Sequence, residues 1–303
     1  MRKRARRLTA LLAGVLLLAV LAEAASPIMP LAQVKPGMKG KGKTVFAGTK
    51  VEDFDAEIVG VLANVQPKRS VILARLTGKG LESTGVISGM SGSPVYVDGK
   101  LIGAVAYSFS YAKEAIAGIT PIEEMLALDK SPQVPRTGVP GEIPIRSNMT
   151  LEDLSAMYQT TFAVRRATPA DGQAVVPLSV PLVFSGFSPW AFERARSFFA
   201  GMGFRPVRAG TSGQSAQVPT PPPASLEEGD AIGVQLIGGD LDVSAVGTVT
   251  YVNGSRVLAF GHPFYNLGAV DYAMTRASVL TVVPSLESSF KMATSGPVIG
   301  RIS

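Results

Sequence analysis

The sequence contains no cysteine, which excludes disulfides, thiol catalysis and cysteine-ligated metal. It has a single histidine, His262, too few imidazoles for a histidine-based metal site. Only 17% of its residues are charged, and no apolar run long enough to span a bilayer follows the N-terminal segment. Helix-rich patterning is scarce as well. The 32 glycines and 22 prolines in 303 residues suit short strands joined by many turns. No cofactor motif is present. The Gly/Lys-rich stretch 35–50 lacks the Gly-Lys-Ser/Thr ending of a phosphate loop and reads as a surface turn.

What is present begins with an export signal over 1–25. Arg2 to Arg7 form a basic start, Leu8 to Leu21 an apolar stretch, and Ala22-Glu23-Ala24 a small-residue cleavage pattern. The twin arginines lack the remainder of a folded-export signal, so a Sec-type route is expected. The body is expected to be periplasmic, envelope-associated or extracellular, touching a membrane only if the segment stays uncleaved. Cleavage would remove five basic residues and one acidic one, lowering the net charge from +6 to +2. The apparent basicity is therefore no argument for a nucleic-acid partner.

The rest divides into a Ser-bearing β-barrel unit (26–130), a mixed α/β insertion (131–210), a Pro-rich linker (211–227) and a His-bearing β region (228–303). That last region is expected to be truncated at its C-terminus. Strands are expected over Glu57 to Val61 and Val71 to Leu76. Two hairpins turn at Asp98-Gly99 and Asn253-Gly254, pairs that tolerate the positive φ of tight turns. Short helices are expected at Pro121 to Leu128, after the Thr150–Asp153 capping signal, and from Ser188-Pro189 to Gly203. Arg194, Arg196 and Arg205 lie among Phe192, Phe198 and Phe199, and the spacing reads as an amphipathic helix with core aromatics.

Chemistry concentrates at Gly89-Met90-Ser91-Gly92-Ser93-Pro94. Glycines on both sides let the backbone turn sharply around Ser91, so that the amides of Gly89 and Ser91 can converge on one oxyanion. The motif belongs to a longer run. It extends from Phe54-Asp55-Ala56-Glu57-Ile58-Val59 through Thr84 to Pro94, then Asp98 to Val105 and Gly118 to Leu126. This run resembles the SpoIVB-type sporulation serine peptidases.

The resemblance implies a mainly β fold with trypsin-like β-barrel elements, a small α/β insertion between the Ser-bearing and His-bearing regions, and Ser91 as nucleophile. Ser93, where trypsin-like enzymes carry glycine, is the second candidate. The family's base follows a Thr-Val-Thr strand in a Gly-His-Gly context. Here Gly247-Thr248-Val249-Thr250 precedes Ala259-Phe260-Gly261-His262-Pro263, which implies His262 as base.

Two departures stand against this pattern. The family's histidine precedes its serine, whereas His262 follows Ser91 by 171 residues. The family's aspartate, in the stretch matching Leu76-Thr77-Gly78, has no counterpart. Asp98, Asp240, Asp242 and Asp271 are the substitutes on offer, and Lys100 is the nearest lysine for a Ser–Lys alternative. The expected activity is an exported serine endopeptidase acting on protein or peptide substrates through an acyl-enzyme. The alternative is an inactive barrel that binds an exported protein or peptide.

Overall fold

The structure is a computed structural model describing residues 26–66, 69–109, 111–129, 150, 153, 175–209, 225–263 and 270–302. The expected export segment 1–25 and nearly all of the expected linker 211–227 lie outside the described residues. No helix among the described residues is long and apolar enough to cross a membrane.

The Asp98-Gly99 turn sets the first sheet. Both residues have positive φ (50° and 71°), and they join β4 (Pro94–Val97) to β5 (Lys100–Phe109) as expected. The other strands are β1 (Lys39–Val45), β2 (Val51–Gln66), β3 (Arg69–Thr77) and β6 (Ile116–Pro121). They hydrogen-bond in the order β4-β1-β2-β3-β6-β5, and β5 pairs back with β4. The sheet is thus a closed, six-stranded antiparallel barrel of the trypsin-like kind. Closure leaves no edge between these strands, and inward residues such as Phe54, Ile58, Ile72, Leu76, Ile102 and Ile119 fill the interior.

Strand β1 corrects the surface-turn reading of 35–50. Lys39, Lys41 and Lys43 alternate with Gly40, Gly42 and Thr44, and the latter set faces inward. Gly42 pairs with Phe54, and a Cβ at Gly42 would overlap the Phe54 ring. Another at Gly40 would overlap the Tyr96 carbonyl. Those inward positions are glycine because neighbouring strands already occupy the space.

The second sheet runs β14-β13-β10-β11-β8-β9, with β12 hairpinned on β11. Its members are β8 (Val180–Ser185), β9 (Phe204–Arg208), β10 (Ala231–Ile237), β11 (Asp242–Asn253), β12 (Arg256–Ala259), β13 (Tyr272–Val283) and β14 (Phe290–Ile302). All pair antiparallel except β8 and β9. The Asn253-Gly254 hairpin appears where the sequence places it.

Helices are few. Leu81–Thr84 forms α1, Ile122–Asp129 forms α2, and Pro189–Gly201 forms α3. Ser188 caps α3, its hydroxyl accepting from the Ala191 amide at 3.2 Å. Phe192 and Phe199 pack edge-on against Phe184 of β8, so the aromatics are core, while Arg196 pairs with Glu193 at the surface. The described part of 131–210 therefore includes an α/β unit, β8-α3-β9, on the second sheet. It also includes β7 (Val175–Pro177), which pairs with β5. Thr150 and Asp153 exchange the reciprocal hydrogen bonds of a capping box, and the body of that helix lies outside the described residues.

Candidate active site

The serine loop sits between α1 and β4. Gly89 (φ +99°) and Gly92 (φ +95°) bracket Ser91 in backbone conformations that other L-residues avoid. Internal bonds tighten the turn: Met90 N–H donates to the Ile87 carbonyl at 2.9 Å, and Ser93 N–H to the Met90 carbonyl at 2.8 Å. The barrel anchors it through Gly92 N–H to the Val105 carbonyl (2.8 Å). Neither the Gly89 nor the Ser91 amide donates a hydrogen bond among the described residues, although both residues are buried. Buried amides are rarely left unpaired, so these two N–H groups are donors available to an oxyanion.

The second sheet closes on this loop. Thr248 of β11 donates its N–H to the Ser91 carbonyl (2.9 Å) and its hydroxyl to the Gly89 carbonyl (3.0 Å). Thr250 donates to the Gly92 carbonyl at 2.7 Å. A Cβ on Gly92 would overlap the Thr248 carbonyl, so glycine here serves both φ and close approach.

The β11–β12 hairpin delivers His262 to the same place. Beyond β12, Phe260 and Gly261 both have φ of +67°, and this left-handed pair swings the chain over the barrel. For phenylalanine that conformation costs about 1–2 kcal/mol, strain of the sort that collects at functional sites. Thr120 of β6 holds the bend by donating to the Gly261 carbonyl at 2.6 Å. Ala104 and Ala106 of β5 approach within 3.1 and 3.3 Å of where a Gly261 Cβ would be.

Ser91 Oγ and His262 Nε2 then lie 2.9 Å apart. On its other side, His262 Nδ1 is 3.0 Å from the Pro263 carbonyl. A carbonyl only accepts, so Nδ1 carries the hydrogen and the Nε2 lone pair faces the serine hydroxyl. Desolvation lowers the His262 pKa below the ordinary imidazole value, and the Pro263 and Leu178 carbonyls act in the opposite direction.

The candidate acids are elsewhere. Asp98 is in the hairpin turn, and Asp240 is exposed with its carbonyl behind Gly186. Asp242 accepts from Gln235 and Ser244, and Asp271 pairs with Arg301. Among the described residues no carboxylate bonds His262. Ser93 is buried with an unpartnered hydroxyl, and Lys100 is exposed at the start of β5.

The sequence reading passed over one lysine. Lys291 of β14 is fully buried behind the serine loop, its Nζ donating to Thr44 Oγ1 at 2.6 Å. Lysine in a strand reads as an outward residue, so no local signal marks it.

Comparison with known families bears on the first sheet and its serine loop. The description "SpoIVB peptidase S55" matches residues 17–126, which include the serine loop and end before His262. Over that stretch, about a third of the chain, the protein is similar to the SpoIVB peptidase S55 family, which supports the resemblance read from the sequence. Searches of curated proteins and of solved structures gave no match.

Proposed function

We propose that this chain is an exported serine endopeptidase of SpoIVB type that cleaves envelope or secreted proteins with a Ser91–His262 dyad. The observation that carries the reading is the 2.9 Å contact between Ser91 Oγ and His262 Nε2, made by residues 171 positions apart on different sheets. The distance lies in the range of a nucleophile–base pair.

The chemistry follows from the geometry. His262 Nε2 takes the Ser91 hydroxyl proton as Oγ attacks the scissile carbonyl, and the negative oxygen accepts from the Gly89 and Ser91 amides. His262 then returns the proton to the leaving amine, giving the acyl-enzyme. Water repeats the sequence in reverse and frees the acid product. The Pro263 carbonyl fills the orienting role that an aspartate fills in a triad. It fixes the tautomer but supplies no full charge to the imidazolium. Removing the correctly orienting acid from a working triad costs about 10⁴ in turnover. A slow or substrate-restricted enzyme is therefore expected.

The second reading, an inactive barrel that binds an exported protein or peptide, draws on two observations. Ser91 is fully buried, and His262 has no carboxylate partner among the described residues. Labelling of the signal-free chain with a fluorophosphonate separates the two. The peptidase reading expects labelling that Ser91→Ala abolishes and His262→Ala strongly slows. No labelling, or equal labelling of Ser91→Ala, would overturn it in favour of the binding reading.

A further inference from the structure

Buried lysines without a carboxylate partner are uncommon, because desolving an ammonium is costly. Lys291 is one: it is fully buried, and among the described residues its side chain bonds only Thr44. Burial pushes its pKa down to about 7. Nothing in the Ser–His chemistry uses it. Its surroundings nevertheless belong to the serine loop. The carbon stem packs against Gly89, where an added Cβ would lie 3.0 Å from Cδ and 3.2 Å from Cβ and Cγ.

Two tethers run from Lys291 to the peptides on either side of Gly89, of which the Ser88–Gly89 peptide carries the Gly89 N–H. The first is main-chain: Lys291 N–H donates to the Ser88 carbonyl at 2.9 Å, and Ser88 N–H donates to the Ser289 carbonyl at 2.8 Å. In a trans peptide the carbonyl and the next N–H point opposite ways. Holding the Ser88 carbonyl against β14 therefore turns the Gly89 N–H away from β14.

The second tether is a chain of side chains. Lys291 Nζ meets Thr44 Oγ1 (2.6 Å), Thr44 Oγ1 meets Thr248 Oγ1 (3.4 Å), and Thr248 Oγ1 meets the Gly89 carbonyl (3.0 Å). Its polarity is forced. The Gly89 carbonyl can only accept, so the Thr248 hydroxyl donates to it. Thr248 must then accept from Thr44, and Thr44, its one hydrogen spent, needs a donor. At the end of that chain stands lysine, a donor in either protonation state.

We propose that Lys291 is a positioning residue for the oxyanion loop, orienting the peptides on both sides of Gly89 through its main chain and through Thr44 and Thr248. The positioning itself is structural. Its consequence for catalysis rests on the Ser91–His262 reading.

The test uses Lys291→Met, which keeps the apolar stem and removes the donor, with Thr248→Val and Thr248→Ser on the signal-free chain. The inactivation constant for a fluorophosphonate should fall about tenfold or more in Lys291→Met and Thr248→Val. The half-saturating probe concentration should change less than twofold. Thr248→Ser, which keeps the hydroxyl, should behave as wild type. Because both residues act through one chain, the double variant Lys291→Met/Thr248→Val should be no worse than the poorer single variant.

Amide hydrogen exchange over 86–93 should quicken about tenfold in Lys291→Met and Thr248→Val, while 231–237 is unchanged. Wild-type labelling and exchange in Lys291→Met, or full additivity in the double variant, would overturn the inference. If Lys291→Met does not fold, the contrast between Thr248→Val and Thr248→Ser decides: equal behaviour of the two overturns it. If wild type fails to label but the loop loosens as described, the peptidase reading falls and the positioning role stands.

Discussion

Replacing Lys291 should change how stability responds to pH, and the size of the change follows from burial. The lysine's pKa is 10.5 when exposed and about 7 in the fold. Between those values the unfolded chain binds a proton that the folded chain lacks, so stability rises with pH across the window. Below about 7 both states carry the proton and the cost is constant. Linkage then gives a penalty of roughly 4 kcal/mol at pH 7 and roughly 2 kcal/mol at pH 9, a gain of about 2 kcal/mol between them.

Lys291→Met removes this contribution. Urea unfolding of both proteins at pH 7, 8 and 9 isolates it, because every other titrating group cancels in the difference. With an m value of about 2–3 kcal/mol/M, the wild-type midpoint should climb by nearly 1 M relative to the variant. Tyr96 does not intrude, since burial and its bond to Glu228 push its phenol pKa upward. Parallel midpoint curves for the two proteins would refute the buried placement of Lys291.

Other expectations concern the two loops and β1. Fluorophosphonate labelling should persist to lower pH than free imidazole allows and fade as pH falls through a midpoint below 6.5, because desolvation favours the neutral base. A midpoint at or above 6.5, read from labelling rates, would contradict the desolvation of the half-buried ring. Gly92→Ala should cost about 3 kcal/mol or more, since positive φ and overlap with the Thr248 carbonyl act together. Gly99→Ala, at φ +71° with open space around it, should cost only about 1–2 kcal/mol in the same urea assay. Gly42→Ala should destabilise by roughly 1–3 kcal/mol by crowding Phe54, whereas the outward Lys41→Ala should stay within about 0.5 kcal/mol. Equal effects at 41 and 42 would deny that β1 is a barrel strand.

Legibility followed how local each signal is. The Asp98-Gly99 and Asn253-Gly254 hairpins, the Ser188 cap and the glycine-bracketed serine loop are written within a few residues, and each appears in the structure. Strand β1 was hidden because its inward positions are glycine and threonine rather than apolar residues. The alternation that reveals a strand was present only as lysines facing out. Lys291 was hidden for a related reason: its burial is set by Thr44 and Gly89, more than 200 residues upstream. The partner of His262 Nδ1 escaped a search for acids because it is a main-chain carbonyl, a group that every residue carries.

The inverted order of serine and histidine has a physical explanation in how the two sheets meet. Ser91 stands in a loop of the closed barrel and His262 just beyond the β11–β12 hairpin of the second sheet, so neither sheet contains the pair alone. Apolar packing joins them, Val45 against Val183 and Val246 and Leu101 against Tyr251, together with hydrogen bonds at buried positions: Thr248 to Ser91 and Gly89, Thr250 to Gly92, Thr120 to Gly261, and Lys291 to Ser88. Each hydrogen bond would leave a buried polar group unpaired if the sheets separated, at about 1–3 kcal/mol apiece. Those bonds converge on the serine and histidine loops. Docking the sheets and bringing His262 to Ser91 are therefore one event. Chain order is immaterial to such a site, because the only requirement is that the threonines of β11 arrive beneath the serine loop with the β12 bend above it.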